Sequence, residues 1–220
     1  MKTFTPPTAM VTRALLVACT AVQVAATLGG SRFADTMVNN FGLIPARLTH
    51  AVTLAGAPPA PLTLVTSLFL HGGWTHLLLN MLFLAWVGRY VEWVVGRWRF
   101  AALYLLGGIA GGLLQVAVDP SSIAPVVGAS GAIAAVFGAY AVLFARSRAA
   151  ARTVLGIPIS SDALTALWYA AVWIGLQLLT AYAFNTGEIH IAIWTHIGGF
   201  VTGLLFAQPF VRAPRIDPRA

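Results

Sequence analysis

The chain has 220 residues, of which 59% are hydrophobic and only 9% are charged. Soluble domains carry about 25% charged residues, so this composition, with a mean hydropathy of +0.83, excludes an ordinary soluble protein. The net charge of +7 does not indicate nucleic-acid binding, because the basic residues lie at the ends of apolar segments and in the connections between them.

Six apolar segments predict an all-α, polytopic membrane protein with one helical domain over residues 1–220. In chain order the predicted spans are about 10–28, 74–95, 100–118, 129–145, 163–184 and 191–211. The first span is too long for a signal-peptide core, and no convincing cleavage site follows it. A long, proline-containing connection, 29–61, follows that span, and such connections are usually functional or partly embedded. The single cysteine, Cys19, allows neither an internal disulfide nor a cysteine-based zinc cluster.

The basic residues predict the orientation of the six spans. Of the 13 lysine and arginine residues, only Arg32 and Arg47 fall on one side of the six-span arrangement. Cytoplasmic connections carry an excess of these residues, so the pattern predicts an inner (plasma) membrane protein with both termini in the cytoplasm. The residues on the cytoplasmic side are Lys2, Arg13, Arg89, Arg97, Arg99, Arg146, Arg148, Arg152, Arg212, Arg215 and Arg219.

A short stretch, Gly128-Ala129-Ser130-Gly131, opens the fourth span after a polar connection. Ser130 is therefore predicted in the first turn of a helix. Unpaired N–H groups and a partial positive charge at that place suit a nucleophile whose reaction creates an oxyanion. Taken alone, the stretch is more typical of the small-residue faces through which membrane helices pack.

His196 is an ionisable residue inside the sixth predicted span, where such residues are rare and mark function. The alternative is a histidine that only hydrogen-bonds a neighbouring helix. Ser130 lies 16 residues before Arg146, and His196 lies 16 residues before Arg212. At ~1.5 Å per residue, both side chains are predicted at the same depth. That depth is just inside the outer edge of a ~30 Å hydrocarbon core.

Small residues beside these two side chains predict close packing of their helices. Gly199 and Gly203 form a Gly-x-x-x-Gly face below His196, and Gly131 begins a small-residue face below Ser130. Helices in close contact there would permit a Ser–His hydrogen bond, which a serine needs to become nucleophilic.

A third group of polar residues, from His71 to Asn80, lies at the start of the second span. His76 and Asn80 are four residues apart, so they share a helix face, and both can donate hydrogen bonds to an oxyanion. The neighbouring His71 leaves a metal site as an alternative, although the His-Glu-x-x-His pattern and an adjacent carboxylate are both absent.

Together these motifs resemble the rhomboid family of intramembrane serine proteases. Gly-Ala-Ser-Gly opens one span, His-Gly-Gly-Trp-x-His-x-x-x-Asn opens another, and His-x-Gly-Gly-x-x-x-Gly lies in the last. They occur in the family's order over about residues 66–206, and two further pairs fit, Gly88-x-x-x-Glu92 and Trp173-x-x-x-Gln177.

The resemblance implies a serine endopeptidase without a cofactor. Such an enzyme cleaves the transmembrane helices of protein substrates near the outer face of the lipid bilayer with a Ser–His dyad. Ser130 would be the nucleophile and His196 the general base and acid. Oxyanion and substrate binding would fall to Asn80, His76, Gly128 and the backbone N–H of Ser130. Glu92 would tie the cytoplasmic end of its helix to its neighbours.

The sequence also departs from the family pattern. Ala134 stands where some members carry a tyrosine that supports the histidine, and Leu62-Thr63 replace a Trp-Arg pair before the second span. None of the six acidic residues lies in the middle of a span, so no carboxylate is expected to complete a triad with His196.

Two other classes of function remain possible on the residues alone. One is a non-catalytic, membrane-protein-binding relative of the rhomboids, although inactive relatives lack the serine or the histidine. The other is a transporter or proton relay that uses His76 and His196, although a relay normally needs carboxylates inside the membrane.

Overall fold

The computed structural model describes residues 9–144, 152–154, 157–184 and 192–211. Within these residues the predicted all-α membrane bundle is confirmed, with one short β-hairpin added. Some predicted features lie outside the described residues or side chains: Lys2, Arg146, Arg148, Arg152, Asp162, Gln177, Glu188, Arg212, Arg215, Asp217 and Arg219.

The helices of the described residues follow one another in this order. They are α1 (Met10–Leu28), α2 (Gly30–Phe41), α3 (Pro45–Leu48), α4 (Thr63–Thr66), α5 (Trp74–Val95), α6 (Arg97–Val118), α7 (Ser130–Phe144), α8 (Ser161–Phe184) and α9 (Ile193–Phe206). Two 3₁₀ turns, Ala60–Leu62 and Ser67–Phe69, flank α4. Strands β1 (Arg152–Val154) and β2 (Ile157–Ile159) pair antiparallel, where the sequence predicts only a connection.

Apolar helices make this an integral membrane protein. In the described part of the chain, α1, α5 and α6 are long and apolar enough to cross a membrane. The helices α7 and α9, with 15 and 14 residues, are apolar but shorter, as are the segments 60–69 and 163–175.

The core is built around α7. Its residues 131–139 are all buried, as expected of a helix that is apolar on every face. On α9, a Cβ placed on Gly199 would overlap the carbonyl oxygen of Gly131, and one on Gly203 would overlap that of Ala135. The two helices therefore run parallel with their backbones in contact.

Glycines also bring α6 against the same pair of helices. Gly107 faces Ala135 of α7, whereas Gly111 faces the carbonyl oxygen of Thr195 at the start of α9. The α6 helix thus runs antiparallel to α7 and α9. Such small-residue contacts are the usual way in which membrane helices approach closely.

A buried carboxylate fastens α1 to α5. Glu92, 5% exposed, accepts hydrogen bonds from the backbone N–H groups of Val11 at 2.9 Å and Thr12 at 2.8 Å. The Thr12 hydroxyl donates to it as well, at 2.8 Å. The first N–H groups of a helix have no intrahelical acceptor, so Glu92 caps α1 from a neighbouring helix.

The first connection, which the sequence leaves as a loop, is folded around a buried arginine. Arg47 is 6% exposed and donates to the carbonyl oxygens of Asn39 and Asn40 at 3.1 Å and of Pro58 at 2.8 Å. One guanidinium thereby joins α2, α3 and the stretch before α4, which suits its rigid fork of donors.

Candidate active site

Ser130 and His196 meet where α7 and α9 begin. The Oγ of Ser130 lies 2.7 Å from the Nε2 of His196, across 66 residues of sequence. The parallel helices hold both side chains in their first turns, so the proximity expected from the sequence is present. With its proton on Nδ1, the imidazole can accept the serine hydroxyl hydrogen, which is the arrangement of a nucleophile and its base.

The surroundings of this pair are closed and apolar on the α9 side. His196 is only 9% exposed, and Ala134 is fully buried. A Cβ placed on Gly199 would lie 3.4 Å from the Cβ of Ala134. At this level α7 and α9 meet through the Gly131 carbonyl oxygen, and the methyl group of Ala134 lies beside that contact.

His76 is brought next to Ser130 by a glycine. A Cβ placed on Gly128 would lie 2.9 Å from Cε1 and Nε2 of His76 and 3.6 Å from Oγ of Ser130. Gly128 also has φ +128°, which L-residues rarely adopt. Only glycine leaves room there for the imidazole beside the serine.

The backbone N–H of Gly128 is already used, because it donates to the carbonyl oxygen of Ser67 at 3.0 Å. In contrast, Ser130 is the first residue of α7, and an N–H at that position lacks an intrahelical acceptor. Gly128 thus shapes the site through its missing side chain, whereas the N–H group suited to an oxyanion is that of Ser130.

Asn80 lies on the same face of α5 as His76, as its spacing predicts. It is 8% exposed, and its Nδ2 donates to the carbonyl oxygen of His76 at 2.9 Å. An amide nitrogen carries two hydrogens, so one remains for another acceptor while the first fixes the side chain.

The segment before Ser130 is held by the first connection. Leu43 and Val126 exchange both backbone hydrogen bonds, at 3.0 and 2.8 Å, and the Ala46 N–H donates to the Ser122 carbonyl oxygen at 3.0 Å. The sequence does not reveal this contact, because a single bridged pair has no periodicity to detect.

Aromatic rings close the site toward the middle of the bundle. Phe83 of α5, Phe137 of α7 and Trp173 of α8 have ring centroids 5.0 to 5.3 Å apart. Phe137 lies two turns beyond Ser130, and Phe200, whose ring is 6.1 Å from that of Phe137, lies one turn beyond His196. The Ser130–His196 pair is therefore bordered by apolar rings on the side that faces the middle of the bundle.

A half-open pocket of about 360 Å³ lies between α1, α2 and the turn before α5. Its polar lining is Gln23, Thr27, Ser31, Asp35 and His71. The sequence offers one unused signal for it, since Gln23 is a polar residue near the end of an otherwise apolar helix.

His71 forms the wall between this pocket and His76, with the two ring centroids 5.2 Å apart. Burial, with a further effect of His76, lowers the pKa of His71 to about 4, and an opposing interaction with the Phe69 backbone is weaker. That interaction lacks hydrogen-bond geometry, since neither His71 ring nitrogen has a hydrogen-bond partner. The imidazole is therefore neutral at pH 7.

The histidines do not gather into a metal centre in the part of the chain that the structure describes. His, Cys, Asp and Glu side chains form no group of three or more there that could hold a metal ion. The polar groups at the site are thus a serine, two imidazoles, an amide and a helix N-terminus, a set suited to acyl transfer.

Comparison with known proteins gives one family. The model of the Rhomboid domain matches residues 59–213. Rhomboid-related protein 1 of Caenorhabditis elegans is 34% identical over 153 residues, covering 63% of this chain and 37% of that protein. Rhomboid protease GluP of Bacillus subtilis is 31% identical over 144 residues, covering 66% of this chain and 25% of that protein.

A third relative shows how the lengths compare. Rhomboid-like protease 5 of Toxoplasma gondii is 28% identical over 149 residues, covering 68% of this chain but 16% of that protein. The chain spans less than half the length of the curated relatives it matches.

Proposed function

The chain belongs to the rhomboid family, and we propose that it is an intramembrane serine endopeptidase that cleaves transmembrane segments of membrane proteins. The observation that carries the proposal is the 2.7 Å contact between Ser130 Oγ and His196 Nε2. Two protease-named relatives, in Bacillus subtilis and Toxoplasma gondii, support it.

In the first half of the reaction, Ser130 Oγ attacks the carbonyl carbon of the peptide bond. His196 Nε2 takes the hydroxyl proton and then gives it to the leaving amine, which departs as a new N-terminus. The acyl group of the substrate remains on Ser130 as an ester. A neutral imidazole suits this role, because the proton that it accepts is passed on in the same half-reaction.

The oxyanion formed in each half-reaction needs donors that are in place beforehand. We assign this role to the backbone N–H of Ser130 and to the side chains of Asn80 and His76. Gly128 supports the arrangement because the place of its missing side chain lies between the His76 ring and Ser130 Oγ. No cofactor is required by this chemistry.

The proposal includes an orientation in the inner (plasma) membrane. The basic side chains Arg89, Arg97 and Arg99 lie at the Glu92 end of the bundle, opposite Ser130. Because positive residues favour the cytoplasm, that end is assigned to the cytoplasm. The dyad then opens toward the outer side, where the outer ends of substrate helices are within reach.

The test is labelling and cleavage by the purified protein in lipid. A fluorophosphonate should label the unmodified protein, and a set of single-span proteins should be cleaved. Ser130→Ala and His196→Ala should abolish both, while thermal unfolding stays unchanged. Ser121→Ala and His50→Ala, which alter exposed residues outside the site, are the matched controls.

The alternative outcomes are equally clear. A folded protein that neither labels nor cleaves would indicate a non-catalytic, membrane-protein-binding rhomboid. Normal cleavage by a folded Ser130→Ala protein would end the serine-protease proposal. Loss of activity with EDTA, restored by zinc, would point to a metal instead.

A further inference from the structure

The two ring nitrogens of His76 have different surroundings, and this decides where the ring carries its hydrogen. The backbone N–H of Gly72 donates to Nδ1 of His76 at 3.3 Å. Because a backbone N–H can only donate, Nδ1 must be the unprotonated nitrogen. An imidazole that accepts a hydrogen bond on Nδ1 is neutral and carries its one hydrogen on Nε2.

The protonated nitrogen of His76 lies on the side of the nucleophile. A Cβ placed on Gly128 would lie 2.9 Å from Nε2 of His76 and 3.6 Å from Oγ of Ser130. Since Gly128 has no side chain, the space between the imidazole and the serine is open. An N–H group beside that space can donate to the oxyanion that forms when Ser130 attacks a carbonyl carbon.

The two imidazoles next to Ser130 need opposite tautomers. Oγ of Ser130 lies 2.7 Å from Nε2 of His196, which must be unprotonated to accept the hydroxyl hydrogen. If Nε2 of His76 were unprotonated as well, it would offer the serine a second acceptor and the oxyanion no donor. The tautomer of a neutral histidine is set by the hydrogen bond at its other ring nitrogen, which for His76 is the bond from Gly72.

The turn before α5 holds the Gly72 amide next to the His76 ring. Gly73, which precedes the first residue of α5, has φ +133°, a conformation that L-residues rarely adopt. Its carbonyl oxygen accepts a hydrogen bond from the Leu77 N–H at 3.0 Å, so the turn is fastened to the helix one residue beyond His76. The His71 ring packs against the His76 ring in a T-shaped arrangement. These contacts limit the rotation of the imidazole.

We propose that Gly72 is a positioning residue, whose backbone N–H keeps the hydrogen of His76 on Nε2 and keeps that nitrogen turned toward Ser130. This inference rests on the proposed protease function, but it concerns a main-chain group outside the Ser130–His196 pair. It predicts one tautomer of His76 in the resting protein and a loss of turnover when the Gly72 N–H is removed.

The tautomer is measured in the resting protein, independently of activity. With ¹⁵N-labelled histidine in the lipid-reconstituted protein, NMR distinguishes protonated from unprotonated ring nitrogens. The signals that disappear in His76→Gln belong to His76. We expect an unprotonated Nδ1 and a protonated Nε2 at neutral pH. A hydrogen on Nδ1 of His76, alone or together with one on Nε2, would overturn the proposal.

The kinetic test compares two substitutions of Gly72, whose φ is not positive. Gly72→Pro removes the N–H, whereas Gly72→Ala keeps it and places a Cβ in ordinary contact with Nδ1 of His76, at 3.7 Å. Gly72→Pro should have a kcat about tenfold below that of Gly72→Ala, with KM within about twofold. The loss is smaller than the roughly 10²–10³ for removing an oxyanion donor, because His76 is still present.

A double-mutant cycle separates this role from a purely structural one. The glutamine amide of His76→Gln donates without a tautomer to choose. In that background, Gly72→Pro and Gly72→Ala should therefore differ by less than about twofold in kcat. A tenfold difference in both backgrounds, or in neither, would overturn the proposal. If Gly72→Pro does not fold, as its unfolding temperature will show, the NMR result decides. An unmodified protein with the expected tautomer that cleaves nothing contradicts the protease function instead.

Discussion

The Asn80 amide makes one hydrogen bond within α5 and is proposed to make a second one to the oxyanion. Its amide donates to the His76 carbonyl oxygen and keeps a second hydrogen for an oxyanion. Removing one oxyanion donor costs about 2.7–4 kcal/mol in the transition state. Asn80→Ala is therefore expected to lower turnover by roughly 10²–10³ and to leave measurable activity, because the Ser130 N–H and His76 remain.

Turnover of Asn80→Ala is measured at saturating substrate, together with its unfolding temperature. Unchanged turnover would show that Asn80 serves only to pack and order α5.

Acidic residues are expected to play no part in orienting His196. Glu92 is engaged at the opposite end of the bundle, and Asp35 and Asp119 are exposed. Glu188 lies outside the described residues. Asp35→Asn, Asp119→Asn and Glu188→Gln should each keep kcat/KM within about tenfold, a loss under ~1.4 kcal/mol. A fall of roughly 10⁴, as for a true triad acid, would contradict the dyad.

The contact between Ser130 and His196 is predictable from sequence, because polar groups are conspicuous in apolar spans and each of the two lies 16 residues before an arginine. His71 is harder to interpret. The pocket that it lines is also lined by Gln23 of α1 and Asp35 of α2, and nothing in the spacing of these three residues along the chain indicates that they share a pocket.

Among the helices, the contact of α7 with α9 allows the sharpest test. A Cβ on Gly203 would overlap the Ala135 carbonyl oxygen, whereas one on Gly175 of α8 meets nothing within 4 Å. Overpacking costs about 1–3 kcal/mol, but replacing an unhindered helical glycine by alanine gains about 0.5–1 kcal/mol. Gly203→Ala should lower the unfolding temperature and the fluorophosphonate labelling rate, while Gly175→Ala lowers neither.

The measurements are the thermal unfolding temperature in detergent and the fluorophosphonate labelling rate of both proteins. A Gly203→Ala protein as stable and as reactive as Gly175→Ala would show that the two helices can separate without harm to the site.

Helix limits are predictable where a segment is long and apolar, and less so elsewhere. The limits 10–28 and 74–95 expected from hydropathy are those of α1 and α5. The first connection is different, because its order comes from Arg47 binding three carbonyl oxygens and from the Leu43–Val126 bridge. Such contacts join distant parts of the chain and leave no local pattern.

For the whole molecule, the distribution of arginines predicts which end faces the cytoplasm. Ser121 and Gln208 are exposed at opposite ends of the bundle, and the only native cysteine, Cys19, is buried. A membrane-impermeant maleimide should therefore label Ser121→Cys in intact cells, and Gln208→Cys only after permeabilisation. The reverse pattern would place the dyad on the cytoplasmic side.

The overall architecture follows from composition and motif order, because apolar periodicity and small-residue faces suffice to choose a helical membrane bundle. The tightness of the α6, α7 and α9 packing does not follow from them. It depends on which glycines face which carbonyl oxygens, and helix rotation is set by the neighbours rather than by the segment itself.

The Glu92 cap has a consequence for biogenesis. The carboxylate that satisfies the first amides of α1 is made 80 residues later than Thr12. Until α5 is made, those amides of the new helix have to be hydrated at the membrane surface or bound by another group. Docking of α1 is then a late step, gated by the arrival of α5. Cross-linking from Thr12 in stalled nascent chains should find lipid before Glu92 has emerged and α5 afterwards; contact with lipid alone in finished chains would contradict this order.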